Sequence, residues 1–303
     1  MELQSAHHQR LIVFLYEFFG TAFLLYAINI QTTSNVGQFG IAFMLFAFLL
    51  IGGGNTGAHY NPAVSLGVWL SSRHHCEDLF LFLFMMLAQF AGAYAGVTVA
   101  YFSLLDATND IRDCDGEYIT VDEDCMTPAD IYINYIAQLA PAPGINIGNV
   151  FLIEALCTGV FVMVNLIVKT KVTSPSDVGF HGAVAVALTL MAMITCAMTK
   201  TGAALNPAVG LAQITVQCFM LDDYSDWQYV WAYTLGPWSG AVLAWAMQFL
   251  HIHGTHAIHH PTNDHVLVEN GRAINPPRLM GDGEIAKEMT EKAEIANRAV
   301  VIE

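Results

Sequence analysis

The chain contains one short phrase twice, and each copy is followed by an apolar run too short to cross a bilayer. Residues Gly57-Ala58-His59-Tyr60-Asn61-Pro62-Ala63-Val64 return as Gly202-Ala203-Ala204-Leu205-Asn206-Pro207-Ala208-Val209. Asn-Pro reads as a helix start. Asn is a good N-cap, and Pro at the first helical position gives up an N–H that has no partner anyway. The runs that follow, Val64 to Leu70 and Val209 to Val216, cannot span a hydrocarbon core of roughly 30 Å. Each is therefore a half-helix with the positive end of its dipole at a capped N-terminus. Backbone can break at membrane depth only where it is buried in protein or lines a wet cavity. Two half-helices in corresponding positions point to a pore or a binding site.

The membrane setting follows from composition. The 303 residues are 55% apolar and only 12% charged, with a mean hydropathy of +0.48. A soluble domain carries about 25% charged residues. Between Leu11 and Ser72 the only ionised side chain is Glu17. Six spans are expected: Leu11–Ile30, Phe39–Gly54, Leu79–Leu104, Gly148–Val168, His181–Thr199 and Trp227–Leu250. The second and fifth run into the half-helices, leaving three spans and one half-helix on each side of the Asp106–Asn146 loop. The expected organisation is a tail over 1–10 and a channel-like domain over 11–250. That domain divides into a first repeat (11–104), a loop (105–147) and a second repeat (148–250), and a second tail occupies 251–303. No short apolar core with a small-residue cleavage site precedes the first span, so that span is expected to be retained as an anchor.

The halves match beyond the repeated phrase. Tyr16-Glu17-Phe18-Phe19-Gly20-Thr21 aligns with Ile153-Glu154-Ala155-Leu156-Cys157-Thr158, and Gln89-Phe90-Ala91-Gly92-Ala93 with the Gly236–Ala241 stretch. An odd number of spans per half inverts the second half relative to the first. The half-helices then enter from opposite faces and meet near the midplane.

Paired Asn-Pro-Ala boxes, each preceded by Gly-Ala, resemble the aquaporin or major intrinsic protein family over roughly residues 10 to 250. The resemblance implies an all-α membrane fold of six transmembrane helices plus two re-entrant half-helices, and a homotetramer. It implies that Asn61 and Asn206, with Pro62, Ala63, Pro207 and Ala208, form the junction where passing water is oriented so that no proton wire persists. Glu17 and Glu154 are expected to tie down backbone N–H groups of the loops leading to the half-helices. The rival reading makes them proton carriers. His59 is expected to support the first loop; with no second ligand it implies no metal.

The departures from the family pattern concern selectivity. Water-selective members place Arg directly after the second box, where this chain has Val209. Ungapped carry-over puts Ile41, Ile194 and Ala203 at the other constriction positions, with Phe39 as the alternative to Ile41. Such a ring offers no charge, no side-chain donor and little bulk. It predicts either a wider pore for larger uncharged solutes such as glycerol, urea, ammonia or peroxide, or weak water flux past a ring that dewets. The Asp that glycerol channels carry one residue later is Gly210 here.

Orientation follows from basic residues: with both termini cytoplasmic, only Arg112 and Lys200 of the 11 fall outside. The membrane is the plasma membrane or an internal, vacuole-type one. The Asp106–Asn146 loop is then extracellular or lumenal, where Cys114 and Cys125 can form a disulfide or remain free. No permitted Asn-x-Ser/Thr sequon occurs. The net charge of −15 lies outside the spans and reads as solvated loops, not as a nucleic-acid surface. Half of the 12 histidines are His251, His253, His256, His259, His260 and His265. This tract reads as a solvated tail, with pH response or metal binding as the sharper alternatives. His181, Ser174 and Ser176 are candidates for gating, and residues 282–301 for an amphipathic tail helix.

A channel needs no cofactor; its partners are membrane lipid, water and small neutral solutes. A secondary transporter would need coupling groups at the midplane, and only Glu17 and Glu154 are available. A poorly conducting structural or junctional member would suit the apolar ring. An enzyme is disfavoured because no nucleophile–base pair or metal cluster lies within the spans.

Overall fold

The computed structural model describes the backbone of residues 2–31, 36–72, 74–104, 112–114, 117–119, 125–126, 137, 139–170, 173–221, 224–259, 268–269 and 272–273. Side chains are described for 8–31, 36–72, 74–104, 137, 139–170, 173–220 and 224–252. The chain divides into two compact units, Met1–Ile252 and His253–Glu303. In the second unit the described strands Val268–Glu269 and Arg272–Ala273 pair antiparallel.

The helices are α1 (Glu2–Ile30), α2 (Gly37–Thr56), α3 (Pro62–Ser71), α4 (His75–Leu104), α5 (Ile147–Lys169), α6 (Gly179–Thr201), α7 (Pro207–Leu221) and α8 (Val230–His259). Three short strands, Arg112–Cys114, Glu117–Ile119 and Cys125–Met126, form an antiparallel sheet between α4 and α5. At about 1.5 Å per residue, the 10 residues of α3 and the 15 of α7 reach only part-way across a bilayer. Helices α1, α2, α4, α5 and α6 are long and apolar enough to cross one. The sixth, α8, has 30 residues and an internal Pro237, with Trp, Tyr, Thr and Gln along it. This is the all-α arrangement of six long helices and two half-helices.

Several boundaries differ from the sequence reading. Helix α1 begins at Glu2 rather than near Leu11, because the polar stretch ahead of the span contains no helix breaker. Helix α7 runs to Leu221, well beyond Val216. Gln217 seemed to end the apolar run, but it is buried and donates to Asp226 Oδ2 at 3.0 Å. Trp227–Tyr229 is a 3₁₀ turn, so α8 starts at Val230.

Long helices approach closely where the sequence provides small residues. A Cβ at Gly92 or Gly96 of α4 would collide with the carbonyl oxygens of Phe18 and Ala22 on α1. In the second half, a Cβ at Gly240 of α8 would collide with the carbonyl oxygen of Ala155 on α5. Phe18 and Ala155 each follow the glutamate of their half, so the same crossing is built twice. Small residues let helix backbones approach in the absence of a hydrophobic drive between lipid-exposed helices.

Two apolar clusters surround the half-helices. One gathers Ala63 and Val64 with Ile41, Leu45, Val162, Leu190 and Ile194, and the other gathers Ala208, Val209 and Ala212 with Leu25, Val97, Leu139 and Tyr233.

Gly92→Leu is expected to cost about 1–3 kcal/mol through overpacking at the α1–α4 crossing. Gly53→Ala, which meets nothing within 4 Å, is expected to be neutral. Thermal stability of the purified protein in detergent, followed by size exclusion, distinguishes the two.

Candidate functional site

Each half-helix is delivered by the same turn. Helices α2 and α6 end on glycines in the left-handed region, Gly57 at φ 82° and Gly202 at φ 81°. The loops that follow hold four non-glycine residues at positive φ: Ala58 (51°), Tyr60 (51°), Ala203 (58°) and Leu205 (50°). A left-handed L-residue costs roughly 1–2 kcal/mol, so this backbone persists only if its surroundings over-determine it.

Glu17 and Glu154, both fully buried, supply that constraint. Glu17 Oε1 accepts from Thr56 Oγ1 (2.7 Å) and the His59 N–H (3.1 Å). Its Oε2 accepts from the Tyr60 N–H and from Gln89 Nε2, both at 2.8 Å. Glu154 Oε1 accepts from Thr201 Oγ1 (2.6 Å) and the Ala204 N–H (3.2 Å), and Oε2 from the Leu205 N–H (2.7 Å). Thr56 and Thr201 each turn back to accept the N–H two residues on, from Ala58 and Ala203.

Asn61 and Asn206 then start the half-helices and join them. Asn61 Oδ1 accepts from the Ala63 N–H at 2.8 Å, and Asn206 Oδ1 from the Ala208 N–H at 2.9 Å. Pro62 and Pro207 occupy the first helical position in each. Asn61 Nδ2 donates to the Leu205 carbonyl (2.9 Å), and Asn206 Nδ2 to the Tyr60 carbonyl (3.0 Å). An amide nitrogen carries two donors. One on each asparagine holds the opposite loop, and the other remains for whatever occupies the space that both residues line.

Two cavities have His59 in their walls, and the asparagines line the smaller of them. The smaller, about 290 Å³, is lined by both asparagines and by Ile41, Ile194, Ala203 and Val209. The four residues aligned to the constriction therefore share one wall. Ile41 is buried there, whereas Phe39 is exposed and absent from the lining. The larger, about 840 Å³, is lined by Ser65, Trp69, Met85, Lys169 and Asp177 among others. The His59 ring Nδ1 lies 3.1 Å from Ser65 Oγ, which Gln89 also contacts.

Ser174 lies in the turn before α6 and His181 in the first turn of that helix, linked through Ser176. Ser174 Oγ donates to the Ser176 carbonyl (2.7 Å), and Ser176 Oγ lies 2.8 Å from His181 Nδ1. Ser176 and Asp177 line the larger cavity; His181 does not. The side chains of Cys114, Cys125 and the histidines from His253 onward, and the whole of 282–301, lie outside the described residues. Among the described residues no group of three or more His, Cys, Asp or Glu could hold a metal.

Sequence reasoning missed several participants. Thr56 and Thr201 were legible, since each stands directly before the repeated Gly-Ala. Gln89 and Ser65 have no counterparts of the same type in the second half, where Pro237 and Val209 or Gly210 fall nearby. Lys169, at the end of α5, lies in the wall of the larger cavity. Asn29 and Gln213, far apart in sequence, carried no local signal.

A model of the major intrinsic protein family matches residues 4–248. The chain belongs to that family. Among related major intrinsic proteins, the probable aquaporin AqpM of Archaeoglobus fulgidus is 31% identical over 196 residues, covering 64% of this chain and 68% of its own. The glycerol uptake facilitator protein-like 6 of Lactiplantibacillus plantarum is 28% identical over 240 residues, 76% of this chain and 94% of its own. The aquaglyceroporin structure from Plasmodium falciparum superposes with a TM-score of 0.62 at 20% identity, covering 80% of this chain and 95% of that one. The shared architecture is the aquaporin fold.

Replacing either glutamate with glutamine turns one acceptor into a donor that faces N–H groups. Each of Glu17→Gln and Glu154→Gln is expected to lower stability by about 1–3 kcal/mol, the cost of a buried unsatisfied donor. Hydrogen exchange should accelerate at the Tyr60 amide in the first variant and at the Leu205 amide in the second. Unchanged exchange would mean that the carboxylates do not hold the loops.

Proposed function

We propose that the protein is a passive transmembrane channel for water and small uncharged solutes. The observation that carries this reading is the reciprocal pairing of Asn61 and Asn206 where both line a cavity that shares His59 with a second one. A water there accepts from the free amide donors and lies in the positive field of two helix N-termini. Its own hydrogens must point away toward both exits, which interrupts a proton wire and repels cations. Glu17 and Glu154 spend their acceptor capacity on loop N–H groups, which favours a structural role over proton carriage.

Selectivity is assigned to Ile41, Ile194, Ala203 and Val209 around the smaller cavity. With no charged donor among them, the mouth is permissive, and glycerol, urea, ammonia and peroxide are candidate solutes alongside water. The relatives include both an aquaporin and a glycerol facilitator by name, so the ring carries the argument. Gly210 adds to it: a Cβ there would lie 2.6 Å from the Tyr233 carbonyl oxygen, so the aspartate of glycerol channels has no room. Outward-facing Phe43, Leu87 and Phe219 suit lipid or neighbouring subunits, and the assembly is a homotetramer. Both termini are cytoplasmic, in the plasma membrane or a vacuole-type membrane.

A second reading rests on the same ring. Four apolar side chains replace none of the hydrogen bonds that water loses on passing, so the mouth acts as a hydrophobic gate. Stopped-flow light scattering on proteoliposomes, comparing water, glycerol and urea for native protein and Val209→Arg, separates the two. Native glycerol or urea flux that Val209→Arg narrows toward water supports the permissive channel. A silent native protein that gains water flux in Val209→Arg supports the gate. Silence in both overturns the assignment of conduction.

A further inference from the structure

One buried polar cluster at the smaller cavity is unused by the mechanism above. Asn29, near the end of α1, and Gln213, on α7 one turn beyond Val209, are both buried. They form a reciprocal amide pair: Asn29 Nδ2 donates to Gln213 Oε1 at 2.8 Å, and Gln213 Nε2 donates to Asn29 Oδ1 at 3.1 Å. Both amides also bond one loop residue, Ala137. Gln213 Nε2 donates to the Ala137 carbonyl at 2.5 Å, and the Ala137 N–H donates to Asn29 Oδ1 at 3.1 Å. Asn29 Nδ2 uses its second donor on the Leu25 carbonyl at 2.8 Å. Both donors of each amide and the backbone polar groups of Ala137 are thereby satisfied inside the protein, which a buried polar cluster requires if it is not to destabilise the fold.

The segment pinned this way forms part of the pore wall. Ala137, Leu139 and Ala140 line the smaller cavity beside Ile41, Ile194 and Val209. Its far end is fixed separately, because the Ala142 N–H donates to the Lys200 carbonyl at 2.9 Å. Between the two anchors Leu139 is buried in the apolar cluster that includes Val209. The residue at 209 has no polar group with which to hold a neighbouring loop, and Gln213 presents its amide one helical turn further along the same face.

We propose that the Asn29–Gln213 amide pair is the positioning element of the constriction: by pinning Ala137 it holds Ala137, Leu139 and Ala140 as a wall of the mouth and so sets the size cut-off for solutes. The proposal rests on the channel reading and names what fixes the dimension of that same site. Gln213 lines the smaller cavity, but both donors of each amide are already paired, so neither has a donor left for the solute. Their effect passes through the loop.

The test uses the full chain in lipid nanodiscs and proteoliposomes. Gln213→Leu and Asn29→Leu are expected to accelerate hydrogen exchange at the Ala137 amide by about tenfold, the order of one lost hydrogen bond. They are also expected to raise the glycerol-to-water permeability ratio by a similar factor. The double exchange Asn29→Gln with Gln213→Asn, which keeps one amide on each helix, should bring both readouts back toward native. Ala137→Pro removes a single loop N–H and leaves both helices untouched, so it gives the same shift in ratio if the leucine variants fail to assemble. A ratio that stays native in assembled variants whose Ala137 amide exchanges faster overturns the proposal, and so does native exchange at Ala137. If the native protein conducts nothing while Gln213→Leu conducts glycerol, the latch holds the mouth shut and the proposal stands. Silence of every form overturns conduction itself and with it the latch's role; native flux with an unmoved ratio overturns the latch alone.

Discussion

Two buried carboxylates and the backbone they hold depend on each other, and the rest of the pore depends on that exchange. A carboxylate in a helix bundle is costly unless its oxygens are hydrogen-bonded. A loop with two non-glycine residues at positive φ and its N–H groups turned inward is costly unless something accepts from them. Glu17 and Glu154 each meet both demands at once, through a threonine hydroxyl and two backbone amides of the loop in their own half. Only with those loops fixed do Asn61 and Asn206 come close enough for each to donate to the opposite loop's carbonyl. The crossings at Gly92 and Gly240 place the third helix of each half against the glutamate-bearing one, so the support extends outward from the same two residues.

The two halves share this frame but not its filling. In the first half, Gln89 adds a fourth donor to Glu17 and links it to Ser65 and the His59 ring. In the second half the aligned helix carries Pro237, the residue matching His59 is Ala204, and Tyr233 donates to the Thr201 carbonyl from another direction at 2.5 Å. The first loop therefore brings a polar ring to the junction of the two cavities, while the second brings small apolar side chains to the mouth. Inverted duplication built the frame, and divergence in the side chains gave the pore two chemically different ends.

How much of this could be read from the sequence depended on whether the cause was local. The half-helices were legible because Asn-Pro caps are local, and the glutamates because they repeat in register with the boxes. Ile41 and Val209 could be placed by counting from the same boxes. Helix ends were less legible: α7 outlasts its apolar run, with Gln217 Nε2 donating to Asp226 beyond the helix, a contact that hydropathy cannot register. The Asn29–Gln213 pair was invisible for a stronger reason. Two amides separated by most of the chain become partners only after both halves have folded, and nothing near either residue announces the other.

The apolar mouth is best understood by its size rather than by its missing charge. A ring without donors excludes water only if it is narrow enough to strip each molecule of its neighbours. A cavity of about 290 Å³ has room for on the order of ten waters at about 30 Å³ each. Waters in such a space keep hydrogen bonds with one another and need few from the wall. At the Asn61–Asn206 junction, by contrast, two loop carbonyls and two amides converge beside the same cavity. At the mouth Val209 offers no polar group, and Ala137, Leu139 and Ala140 line the same cavity with apolar side chains beside Gln213. The proposed division leaves size to the position of that wall and hydrogen bonding to the asparagine pair, separable tasks carried by the loop beside α7 and by the starts of the two half-helices.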